Sequence, residues 1–227
     1  MVLKNHRVTA RSIYALLLYL LVSCLYFGIG VLNHFNSHFV GFEADPALFS
    51  WMLNWWPFAL THHLNPLYTN YVWWPIGFSI ANTTAIPALA FLMWPITALW
   101  GANASYNTLA LLGPAISAWT MFFLCRFLTR SVLTAWVGGF IFGFSTYQIG
   151  QTLGGHINLS WLFLLPLLIL ISLCFCQKRL NWLWTLLWLT LCLITQFGIS
   201  REIFASGLLM AVPAWLLACL YFKPYRQ

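Results

Sequence analysis

"TAIPALAFLMWPITALW", residues 84–100, decides the fold, because whether it crosses a membrane sets the side on which every later segment lies. The run is apolar, but it is short for a hydrocarbon core of about 30 Å, which takes roughly 20 helical residues. Pro87 and Pro95 interrupt it as well. Around it the chain has the composition of a polytopic membrane protein. Of its 227 residues 62% are hydrophobic and 6% charged, and its mean hydropathy is +0.82, whereas a soluble domain is about one-quarter charged. A soluble globule is excluded.

Further apolar runs suit helices at 12–32, 105–125, 131–148, 157–176, 182–198 and 203–222. Basic residues cluster as Lys4/Arg7/Arg11, Arg126/Arg130, Lys178/Arg179 and Lys223/Arg226. Lys and Arg in short loops stay cytoplasmic. If 84–100 spanned, the later clusters would lie opposite the N-terminus; if it does not, all four share one side. The expectation is therefore an all-α polytopic membrane protein, a single membrane domain over 1–227. It has about six transmembrane helices: a first span at 12–32, a long outer loop at 33–104 with surface-lying or re-entrant helices, and five further spans over 105–222. Both termini are cytoplasmic. The net charge of +7 does not point to nucleic acid, since the basic residues are scattered pairs and form no continuous face. The first apolar run continues past Cys24, so it reads as an uncleaved helix. The six cysteines lie in or beside apolar runs without metal-ligand spacing.

The chain has three acidic residues, and this topology puts all of them outside. "GFEADPALFSWMLNWW", 41–56, holds Glu43 and Asp45; Glu202 follows Arg201, the one basic residue outside. Asp45 before Pro46 reads as a helix start, its carboxylate capping free N–H groups, facing a cavity, or both. Glu43 reads on its own as a solvated loop residue. Ser50, Asn54, Pro57 and Thr61 form one stripe of the following helix, which is expected to lie on the bilayer surface among its aromatic residues. His156, in "GQTLGGHINLSW", follows two glycines at the outer end of a hairpin. Arg201 either snorkels to the interface or holds a lipid phosphate through its forked donors. Gly139 and Gly143 form a G-x-x-x-G expected to let helices approach closely.

"GFEADPALFSWMLNWWPFALTHH" (41–63), "WWPIGFSIANTTAIPALAFLMWPITALWG" (73–101) and "GGHINLSWLFLLPL" (154–167) resemble the N-terminal module of the GT-C superfamily of membrane glycosyltransferases. The resemblance implies transfer of a sugar from a polyprenyl-phosphate-linked donor on the outer face of a bacterial inner membrane. Asp45 matches the family's first-loop Asp, which acts as catalytic base or holds the acceptor; Glu43, His156, Arg201 and Glu202 are then substrate-binding positions. His156 stands where members often carry a second acidic residue, which leaves use of a divalent metal ion open. Members usually run considerably longer, so the chain reads as a truncated relative, one part of a split enzyme completed by a second subunit, or an incomplete fragment of such an enzyme; membrane lipids and the polyprenyl-phosphate-linked sugar are the other expected partners. A non-catalytic membrane scaffold or partner subunit is the alternative, and a transporter the third reading, although the acids sit at the ends of spans rather than at their midplanes.

Overall fold

A computed structural model describes the backbone of residues 2–42 and 44–221 and the side chains of 10–42 and 44–217. The described chain is mostly helical. Helix α1 (Val2–Ser23) runs on through a π turn, Cys24–Gly28; α2 covers Asp45–Thr61, α3 Pro87–Trp100 and α4 Ala102–Thr129. Then follow α5 (Val132–Gly143), α6 (Thr146–Leu153), the short α7 (Ile157–Ser160), α8 (Leu164–Cys176), α9 (Trp182–Ile199) and α10 (Arg201–Tyr221). Two short antiparallel strands, β1 (Tyr68–Thr69) and β2 (Phe78–Ser79), form a hairpin between α2 and α3.

Among the described residues, four helical stretches are long and apolar enough to cross a membrane: Ala10–Gly28, Ala102–Thr129, Ile157–Cys176 and Trp182–Ile199. The pair α5 and α6, bent by 42°, makes a fifth if counted as one span. The expected sixth span, 203–222, falls on α10, which is described only in part. Exposed Ile13, Leu17, Leu21, Leu25 and Ile29 repeat every four residues along α1, an apolar stripe that suits lipid rather than water. With 14 residues, α3 measures about 21 Å, short of the roughly 30 Å core.

Helix α4 is the hub, packing against α1, α2, α3, α5 and α8. Its contact with α5 depends on the G-x-x-x-G: a Cβ on Gly139 would lie 2.6 Å from the Ala118 carbonyl oxygen, and one on Gly143 would lie 2.5 Å from that of Pro114. The backbones meet as the spacing predicts. Hydroxyl groups in the interface find backbone acceptors, as a membrane interior favours. Ser23 Oγ donates to Leu111 O at 2.7 Å, and Tyr19 Oη to Trp136 O at 2.8 Å.

One element differs from expectation. The run 131–148 is broken near Phe144, where Ser145 starts α6 by accepting a hydrogen bond from Gln148 N at 3.3 Å; serine at an N-cap favours a new helix over continuation. Helix α2 packs into the protein. Ser50 and Pro57 of its polar stripe are buried, and Ser50 Oγ donates to Asn103 Oδ1 at 2.6 Å. The indole N–H groups of Trp55 and Trp56 donate to the carbonyls of Pro66 (2.9 Å) and Ala85 (2.6 Å). Loop carbonyls thus satisfy the tryptophans from inside and draw α2 into the core.

Candidate functional site

The site is organised by the first turns of α4. Asn107, fully buried, accepts from Val40 N at 2.9 Å and donates to Phe35 O at 2.8 Å and His38 O at 2.7 Å. Asn103 Nδ2 reaches Asn36 O at 3.0 Å. The Tyr106 hydroxyl lies between the carbonyls of Val40 (2.9 Å) and Gly155 (3.2 Å). One face of α4 therefore joins the segment before α2 to the turn after α6, and Phe42 N closes the join on Leu153 O at 2.9 Å.

This join brings Asp45 and His156 together. His156 Nε2 lies 3.2 Å from Asp45 Oδ2, with side chains 31% and 41% exposed, respectively. His156 Nδ1 faces Gln151 Oε1 at 2.7 Å. Both ring nitrogens are engaged, so the imidazole holds the carboxylate rather than acting on a ligand. Asp45 Oδ1 has no hydrogen-bond donor among the described residues. Asp45 is the first residue of α2, whose N-cap position is Ala44; its carboxylate turns to His156, where the sequence allowed a cap. The positive end of the helix still favours a negative charge there.

Gly155 makes the approach feasible. Its φ is +83°, and a Cβ there would lie 2.5 Å from Pro46 Cδ. Gly155→Ala combines a left-handed backbone with this clash and is expected to destabilise the chain by about 1–3 kcal/mol, read as a lower thermal midpoint in detergent. An unchanged midpoint would mean that the turn and α2 are not tightly apposed.

Arg201 and Glu202 form a second, separate group. The Arg201 guanidinium donates to the carbonyls of Ala81 and Thr83, clamping the stretch before α3. Glu202 accepts from Ser200 Oγ at 2.8 Å and from Thr84 Oγ1 at 3.5 Å. With Trp56, Ile86 and Phe197 they line a pocket of about 230 Å³. Trp56 lies about 16 Å along α2 from Asp45 at 1.5 Å rise per residue. The structure thus pairs Asp45 with His156 and sets Arg201 and Glu202, each held by its own partners, in one pocket, but does not bring the two groups onto one reacting bond. Glu43 lies outside the described residues.

The sequence reading missed Asn107 and Tyr106 and drew nothing from Asn103. Their signal was present, as three polar side chains on the adjoining turns "ANASYN" of an otherwise apolar run. Among the described residues no three His, Cys, Asp or Glu side chains gather as a metal ion would need. Asp45 and His156 supply two donors, turned on each other. No protein-family model, no curated protein and no solved structure matches this chain.

Proposed function

We propose that the chain is a GT-C-like integral membrane glycosyltransferase module, transferring a sugar from a polyprenyl-phosphate-linked donor to an acceptor hydroxyl at the end of the bundle that carries Asp45. In this reading that end faces the periplasm of a bacterial inner membrane and both termini are cytoplasmic. The observation that carries the reading is the Asp45–His156 pair: a half-exposed carboxylate at the rim of an apolar bundle, one oxygen held by an imidazole and the other without a donor among the described residues. Such a group suits a general base within reach of a hydroxyl.

The acceptor oxygen attacks the anomeric carbon and its proton passes to Asp45 Oδ1. The bond from that carbon to the phosphate oxygen breaks, and its electron pair leaves with the lipid phosphate. His156 orients the carboxylate through Oδ2. Arg201 and Glu202, in their own pocket, hold a part of the substrate remote from the bond that breaks; Arg201 has donors beyond the two spent on loop carbonyls.

Native mass spectrometry of the chain from a mild detergent tests the donor class. A co-purified polyprenyl phosphate or its sugar adduct is the expected result. Retention of ordinary phospholipids with no such lipid would favour the scaffold or partner-subunit reading instead.

A further inference from the structure

A second cluster lies at the other end of the bundle. Ile157–Cys176 starts beside His156 and extends 20 residues, about 30 Å, so the turn after α8 is a membrane thickness away from Asp45. Helix α4 runs the same way, from its contacts with Val40 and Gly155 to Arg126 and Arg130. Arg179 joins the two ends: its guanidinium carbon stands 4.9 Å from the centroid of the Phe127 ring, a cation–π contact. Arg126 folds back to donate to the Arg130 carbonyl, closing α4 with Arg130 in a left-handed conformation. Lys178 and Arg179 of this turn therefore stand beside the end of α4 that carries Arg126 and Arg130, while the described acidic residues, Asp45 and Glu202, belong to the opposite end. No described carboxylate side chain offsets this charge.

The turn is also concave. Phe175, Cys176, Lys178, Arg179, Asn181 and Trp182 line an open pocket of about 610 Å³, within the range of small-molecule sites. Its apolar wall continues along α9, where Trp182 is 60% and Leu183 59% exposed. Trp at such a position favours the headgroup level. A ligand matching both features has an anionic phosphate head and apolar chains that follow α9.

We propose that the 177–182 turn, with Arg126 and Arg130 beside it, is a binding site for the phosphodiester headgroup of an anionic phospholipid. Lys178 and Arg179 meet the phosphate, Asn181 offers its amide to the headgroup, and the acyl chains lie against Trp182 and Leu183. Lys and Arg near a bilayer surface attract anionic lipid, and here the concave turn sets an apolar wall beside the two charges.

The test is native mass spectrometry of the full chain released from nanodiscs containing phosphatidylcholine and phosphatidylglycerol, counting retained lipids. Preferential retention of phosphatidylglycerol is expected, reduced about tenfold or more in Lys178→Gln/Arg179→Gln. The charge-conserving Lys178→Arg/Arg179→Lys should retain most of it; its failure to do so would overturn the assignment. Arg11→Gln, at the same end of the bundle but outside the pocket, should change retention by less than about twofold; a loss equal to that of the double variant would show diffuse attraction to surface charge. Displacement of the lipid by millimolar inorganic phosphate would make this a free-anion site and overturn the lipid assignment. No preference in the unmodified chain would also overturn it.

Discussion

Asp45→Asn is expected to lower sugar transfer about 10²–10⁴-fold, the usual contribution of a positioned general base, while leaving the fold in place. Asparagine has the same shape as aspartate, and its carboxamide can still meet His156 Nε2 at the 3.2 Å now spanned by the carboxylate. The helix start loses little, because the N-cap position is Ala44 and not Asp45. What is removed is the basicity of the Oδ1 oxygen. The variant should therefore have a near-unchanged thermal midpoint in detergent and strongly reduced turnover of a labelled polyprenyl-phosphate-linked sugar. His156→Gln should fall between it and the unmodified chain, since it disturbs the orientation of the base and leaves the base itself. If Asp45→Asn turned over normally, the carboxylate would be a fastening between α2 and the 154–156 turn, and the scaffold reading would gain.

Much of the helical order can be read from apolar periodicity and punctuation, and the close packing of α4 on α5 from Gly139 and Gly143. Asp45 and His156 could each be singled out by type and setting. Their pairing could not, because it depends on where Asn103, Tyr106 and Asn107 hold two loops that are distant in sequence. The burial of α2 was hidden for a related reason: the acceptors for Trp55 and Trp56 are the backbone carbonyls of Pro66 and Ala85, and a backbone carbonyl leaves no trace in residue identity. Arg201 shows the same limit. Its charge suggested a phosphate, yet part of its guanidinium is spent on the carbonyls of Ala81 and Thr83.

Asn107→Ala should be the most destabilising single change among the polar residues of this site. The side chain is fully buried and serves three backbone groups, accepting from Val40 N and donating to Phe35 O and His38 O. Alanine leaves one N–H and two C=O groups without partners. An orphaned buried group costs about 1–3 kcal/mol; because the 33–38 segment is largely exposed and can recover water, a net loss of about 3 kcal/mol is expected. Asn107→Asp should do no better, since it keeps the acceptor for Val40 N but sets a carboxylate against two carbonyl oxygens. Tyr106→Phe, which gives up one hydroxyl, should cost about 1 kcal/mol. Val40 leads directly into the stretch that presents Asp45, so losing its anchor should loosen the base as well as the fold. Asn107→Ala should therefore lower both the thermal midpoint and transfer, and open the 33–42 segment to proteolysis, whereas Asp45→Asn lowers transfer alone. An Asn107→Ala variant with full stability and full transfer would mean that the loop is held by other contacts and that α4 does not organise the site.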